Sequence, residues 1–298
     1  MHVSPRGFAP RHPPEDEPAV TQAIYADRVL STGSAALLAL ADQRLPSGGH
    51  VHSGGVEQAV TDGLVHDVRT LERFLERRLS TTGLVTAGLA AAACSVAVTG
   101  DAVAALRRLE AETDARTPSP AQRSASRAQG RGLIRTAKAA WAAPSATLNW
   151  SDLGPRPHHP LVLGCAARAG GVTPEGAALI AAYLAVSAPS TAAQRLLALD
   201  PVAVAAVTVH LGPAIEATAR AAVSRGFVHD HAQEFVDRGS VHDHAQESGR
   251  EHAQPSAGDH ARIPAEGDVF DDLPDDSDPL MDLLAERHAA REERLFAS

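Results

Sequence analysis

The residues best placed to do chemistry lie between Leu37 and Glu57, in the stretch LLALADQRLPSGGHVHSGGVE. His50, His52 and Glu57 could supply imidazole and carboxylate ligands to a metal ion, although two close histidines in a loop are more often ordinary hydrogen-bonded polar residues. A phosphate cradle needs two glycines followed by Lys and Ser or Thr; Gly49 and Gly54 have the spacing, but Gly55 stands where the lysine belongs. Lys138 is the only lysine in the chain, which argues against a lysine-dependent NTPase. A nucleophile elbow needs glycine two residues before and after its serine, and Ser53 has Val51 before it and Gly55 after it. Each catalytic motif is therefore incomplete.

Helices must position these residues. Ala36, Leu37, Leu40 and Ala41 recur at helical spacing until Pro46 forbids continuation, and Gly48 and Gly49 then give the backbone freedom to reverse. Ser53 is placed to cap a new helix beginning near Gly54, and Gly63 to end it. Asp67 and Asp101 are expected N-caps of the next two helices; the first carries Val68, Leu71, Phe74, Leu75 and Leu79 on one face. Arg123, Arg127, Arg131 and Arg135 recur every four residues and share a helical face. Such a face suits an acidic partner or phosphate, or is solvated or paired within the chain. After a proline-rich loop ending in His158-His159-Pro160, Gly170-Gly171 ends one helix and Thr173-Pro174 opens another, whose stretch Ala177 to Ser187 should lie in the core. Pro201 can start a helix at no cost in hydrogen bonds, whereas Pro213 should kink or split the one it interrupts.

Composition narrows the class. The chain of 298 residues is 44% hydrophobic but only 3% aromatic, so Ala, Leu and Val must fill the core, which favours closely packed helices. The net charge of −9 is concentrated after residue 225, and a pI of about 5.9 offers no basis for binding nucleic acid. Cys94 and Cys165 sit in apolar surroundings and read as reduced core residues of a cytoplasmic protein. Residues 1–20 lack the apolar region of a secretory signal. Leu79 to Gly100 carries no charge, but its serines, threonines and many alanines suit a buried helix better than a membrane span.

From Gly226 the pattern changes. VHDHAQE occurs at 228–234 and again at 241–247, and six of the fifteen histidines fall in this low-complexity region. It has too few apolar residues to offset the entropy of ordering. His229, His231, His242 and His244 form two His-x-His pairs able to bind Ni or Zn weakly. The chain then closes with an amphipathic stripe, Leu280, Leu283, Leu284, Ala285 and His288. That stripe could fold on a partner or pack back on its own bundle.

Four segments together resemble the urease accessory protein UreF family. Leu45, Pro46, Gly48, Gly49, Ser53, Gly55, Glu57 and Gly63 match its N-terminal signature, with His50 where a Phe is usual. Arg123, Ser126, Arg127, Gln129, Gly130 and Arg131 match its middle motif, and His159, Pro160 and Gly164 its His-Pro step. Arg294, Leu295, Phe296 and Ser298 match its terminus, with Ala289 replacing a Glu. The resemblance implies an all-α, single-domain multi-helix bundle that forms a homodimer and is not an enzyme. Such a protein bridges a urease-binding scaffold protein of the UreD/UreH type and a nickel-carrying GTPase of the UreG type, so that nickel reaches the urease apoprotein.

The expected organisation is a disordered arm over 1–25, the helical domain over 26–225, a disordered His/Asp-rich insertion over 226–277 and a partner-binding helix and tail over 278–298. The expected partner-binding set is Pro46, Gly48, Gly49, Ser53 and Glu57 in the loop and Arg123, Arg127, Gln129 and Arg131 on the arginine face. In the tail it is Leu283, Leu284, His288, Arg294, Leu295, Phe296 and Ser298. No tightly bound cofactor, nucleic acid or membrane is expected. The alternative is a soluble helical nickel- or zinc-binding storage protein, motivated by the histidine repeats. Deleting residues 228–262 should abolish weak Ni²⁺ binding while preserving the helical fold, as read by calorimetry and far-ultraviolet circular dichroism.

Overall fold

The computed structural model describes residues 33–46, 52–225, 270, 272–291 and 295–296. The regular structure of the described residues is helical, with no β-strand among them. The early helices are α1 (Ser34–Ala41), α2 (Val56–Thr61) and α3 (Val68–Arg78), the last running through a π-helical turn, Leu79–Gly83, into α4 (Leu84–Val96). There follow α5 (Ala102–Ala115), α6 (Pro120–Ala140), α7 (His159–Ala169), α8 (Pro174–Leu197), α9 (Pro201–His210), α10 (Gly212–Ser224) and α11 (Pro279–Ala289).

Helix α4 is the axis of the bundle, packed most extensively on α7 and α8 and covered by α10. Eleven of its 13 residues are buried, five of them alanines, so its neighbours approach on all sides. Gly164 shows how closely: a Cβ there would collide with the Ala90 carbonyl and come within 2.8 Å of Cys94 N. Cys94 and Cys165 are free thiols buried at this contact, as expected, and burial pushes the Cys94 thiol up to about 12. The stretches Val68–Val96 and Pro174–Leu197 are long and apolar enough to cross a membrane, but 72% of each apolar window is buried within the bundle.

Local chemistry sets most helix ends. Asp67 caps α3 through a reciprocal box with Thr70, and Thr173 caps α8 by accepting from Gly176 N at 3.2 Å, with Pro174 at the first helical position. Pro213 splits the apolar run after Pro201 into α9 and α10, bent by 42°. Two expected caps fail. Asp101 makes no side-chain cap bond to α5. Ser53 does not cap α2, which begins at Val56 behind Gly54 and Gly55, both at positive φ; only the Ser53 carbonyl contributes, accepting from Val56 N.

The end of the expected insertion also differs. Phe270 and Leu273 are buried, and Pro274 sits against Gly88 of α4, so the boundary at 277 falls inside a packed segment. Arg108 lies over the Phe270 ring at 5.0 Å, a cation–π contact that fastens this segment to α5. The arm over 1–25, the histidine pairs at 229, 231, 242 and 244, and Gly48, Gly49 and His50 lie outside the described residues.

Because the obstacle at Gly164 is backbone, neighbouring side chains cannot relieve it. Gly164→Ala is expected to destabilise the fold by about 2 kcal/mol or more in urea unfolding, although alanine normally favours a helix.

Candidate functional site

Glu57, near the start of α2, is 3% exposed, and an interior carboxylate there needs donors. All three come from the C-terminal end of the chain. His288 Nε2 donates at 2.8 Å, Leu295 N at 2.8 Å and Phe296 N at 3.0 Å. Burial opposes ionisation of Glu57, but the bond from Leu295 N, with those from His288 and Phe296 N, outweighs it and holds the carboxyl below its ordinary range. Since a carboxylate only accepts, Nε2 of His288 carries the proton; Nδ1 is buried without a partner among the described residues.

Three further attachments tie α11 down. Glu286 accepts from Ala121 N at 2.9 Å and from the Ser119 hydroxyl, placing a carboxylate at the N-terminus of α6, where the helix dipole favours it. Asp278, the N-cap of α11, accepts from Arg77 Nη2 at 2.8 Å, and Arg287 pairs with Asp62 at 2.8 Å. The amphipathic stripe thus packs on its own bundle. Leu284 and His288, expected as partner contacts, are 1% and 0% exposed, because the helix's apolar face is used in docking. Phe296 is partly buried against the core. Leu283 and Leu295 remain 54% and 80% exposed, while Arg294 and Ser298 lie outside the described residues.

The arginine face divides. Arg127 pairs with Glu110 and with Asp114 at 2.8 Å, and donates to the Arg156 carbonyl at 2.6 Å. Arg123 donates to the carbonyls of Thr117 and Pro118 at 2.6 and 2.9 Å. These two cations are therefore occupied inside the chain. Arg131 and Arg135 are exposed and have no ion pair among the described residues. Gln129 is half-buried behind that face.

The same acids orient His158, which is fully buried. Its Nε2 donates to Asp114 Oδ1 at 3.0 Å, since a carboxylate only accepts, and its Nδ1 is hydrogen-bonded to the Ser126 hydroxyl at 3.0 Å. Burial drives its pKa below the ordinary value against the pull of Asp114. Gly130 permits this arrangement: a Cβ there would collide with the Pro157 carbonyl, so α6 can press against the loop that delivers His158 only as glycine. His159 is half-buried, and burial, with His52 second, pushes its imidazole down to about 4.

Several described residues of the four sequence motifs, among them Glu57, Ser126, Arg127, Gly130 and Phe296, thus meet in contacts between α2, α6, the start of α7 and the C-terminal segment. The family model for UreF matches residues 65–212. The urease accessory protein UreF of Mycolicibacterium vanbaalenii (strain DSM 7251) is 45% identical over 264 residues, 89% of this chain and 98% of that protein. This chain belongs to the UreF family. The urease accessory protein UreF of Mycobacterium sp. (strain JLS) is 45% identical over 262 residues, 88% of this chain and 97% of that protein. That of Mycobacterium tuberculosis (strain CDC 1551 / Oshkosh) is 41% identical over 267 residues, 90% of this chain and 100% of that protein.

Within this UreF-family site, Ser53 is fully buried with its hydroxyl unpartnered among the described residues, and Pro46 is exposed, its carbonyl accepting from Thr136 Oγ1 at 2.8 Å. Glu57 and His52 are buried, and no group of three or more His, Cys, Asp or Glu able to hold a metal occurs among the described residues. Sequence reading missed Arg78, Glu110, Asp114 and Glu286. Arg78 had a signal: it follows Phe74 and Leu75 at helical spacing, on the apolar face of α3.

Two expectations follow. Removing residues 278–298 should lower the melting temperature, because it leaves Glu57 buried without its donors, at a cost of about 3 kcal/mol or more. His159 titrates near 4 folded and near 6.5 unfolded, so the unfolded chain binds the proton first as pH falls. Stability should be unaffected by His159 above pH 6.5 and decline between pH 6.5 and 4, by roughly 3 kcal/mol in total. Urea unfolding of wild type and His159→Gln across that window checks it, the variant giving the flatter profile.

Proposed function

We propose that this chain is a non-catalytic assembly protein of urease maturation. In this reading it acts in the cytoplasm as a homodimer and bridges a scaffold protein of the UreD/UreH type and a nickel-carrying GTPase of the UreG type. Nickel is cargo delivered to the urease apoprotein after GTP hydrolysis. The observation that carries the reading is the likeness to proteins named urease accessory protein UreF over 97% or more of their length.

The surface left after folding supports specific contacts. Leu283 and Leu295 lie on the docked C-terminal segment with 54% and 80% of their surface exposed, and they are the apolar contacts for the scaffold. Exposed Arg131 and Arg135 offer two cations to an acidic partner surface. Because α11 is already docked, the scaffold would meet a preformed surface and would not have to fold the tail, which lowers the entropy lost on binding.

Co-expression with the urease operon products and capture of this chain tests the proposal. A complex containing scaffold and GTPase is expected. Leu283→Asp with Leu295→Asp should weaken scaffold capture about tenfold or more while leaving the melting temperature within a few degrees of wild type. Capture of neither protein, together with tight nickel binding by the isolated chain, would favour the metal-storage alternative that the histidine repeats suggest.

A further inference from the structure

Arg78 is a cation in the interior that the bridging role does not use. It ends α3 where the helix passes into the π-helical turn Leu79–Gly83, and it is half-buried. Its Nε donates to the Ala185 carbonyl at 3.2 Å. That carbonyl is free because Pro189, four residues later in α8, has no N–H to offer it. Among the described residues the two Nη atoms have no acceptor and no carboxylate pairs with Arg78.

Two adjoining cavities of about 140 and 130 Å³ share Gly54, Arg78, Thr86, Gln129, His159 and Pro160 in their walls. Gly54 makes room for the guanidinium: a Cβ at that position would lie 3.2 Å from Arg78 Cζ and Nη2. Three of the acids bordering these spaces are paired with other arginines, and the fourth, Asp282 in the wall of the first cavity only, is bonded to a neutral amide. Asp42 is gripped by Arg44 at 2.8 Å, Asp278 by Arg77 at 2.8 Å and Asp276 by Arg225 at 3.1 Å, and Asp282 accepts from Gln122 Nε2 at 3.1 Å. His159 keeps a neutral imidazole at physiological pH. Among the six residues that both cavities share, the one charge is the positive charge of Arg78.

An interior charge without a counter-charge is costly unless something of opposite sign accompanies it. We propose that the cavity joining Gly54, Arg78, Gln129 and His159 binds a small inorganic anion, held by the free Nη groups of Arg78. Its volume suits a halide or a compact oxyanion with a few waters, each water needing about 30 Å³. The amide of Gln129 can donate to such an anion, and the neutral ring of His159 can offer one N–H. This binding is separate from the assembly role, since the contacts proposed for that role are Leu283, Leu295, Arg131 and Arg135, none of which lines either cavity.

The test uses the full chain, dialysed into a gluconate buffer, with sodium chloride and sodium phosphate titrated separately by calorimetry at fixed ionic strength. Saturable binding of one anion per chain is expected for at least one of the two, with a matching rise in melting temperature. Arg78→Met, which keeps much of the aliphatic stem, should weaken that binding by about tenfold or more. Gln129→Met, which conserves volume and removes the amide, should weaken it severalfold in a folded protein. Absence of a saturable site for both anions overturns the proposal, as does equal binding by folded Arg78→Met. If Arg78→Met does not fold, unchanged affinity in Gln129→Met overturns it.

Discussion

A carboxylate in the interior has to be surrounded by donors, and Glu57 draws all of its own from more than 230 positions further along the chain. That requirement couples the first helices to the last. Once His288 and the Leu295 and Phe296 amides are committed to Glu57, α11 must lie across α2 and α6, and Glu286 then reaches the N-terminus of α6. The C-terminal segment is thereby part of the folded body, although a long low-complexity stretch separates it in sequence from α10. Interiors of this kind respond steeply to loss of one partner, because the remaining charge keeps its desolvation cost.

The rest of the bundle obeys a different constraint, the small size of its side chains. An alanine-rich core gains little burial per residue and recovers stability by bringing backbones close, as Gly164 does between α4 and α7 and Gly130 between α6 and the His158 loop. Such close approach leaves little tolerance for added atoms. It also means that the polar groups are positioned by backbone contact: His158 meets Ser126 and Asp114 because α6 can press on the loop that carries it.

How much of this was legible in the sequence depends on the range of the interaction. Asp67, Thr173, Pro201 and Pro213 acted as their types and neighbours required, because caps and proline breaks are decided within a turn. Ser53 looked like a cap by the same local logic, but the two glycines after it take positive φ and push the helix start to Val56. The tail was legible as an amphipathic helix and not as a docked one, since a stripe of Leu283, Leu284 and His288 has one pattern whatever covers it. The deciding partner, Glu57, is too remote for spacing to reveal. Likewise the four-residue recurrence of Arg123, Arg127, Arg131 and Arg135 could not show that two of them are occupied internally, because Arg127 is held by Glu110 and Asp114 of a separate helix and Arg123 by carbonyls of the turn before its own.

The family motifs therefore mark places where the chain must hold itself together more than places it shows to others. Glu57, Gly130, Arg127 and Phe296 all make intramolecular contacts, and the motif residue Leu295, like Leu283, is exposed on the docked segment that those contacts create. Irregular backbone concentrates in one further place. The π-helical turn after Arg78, the interior Pro189 of α8 and the left-handed Gly54 come together around one guanidinium. A π turn and an interior proline each weaken a helix, and regular helices would have satisfied the backbone at lower cost. Their meeting at Arg78 places the half-buried guanidinium where three departures from regular helix coincide, so its position and the irregular backbone depend on one another.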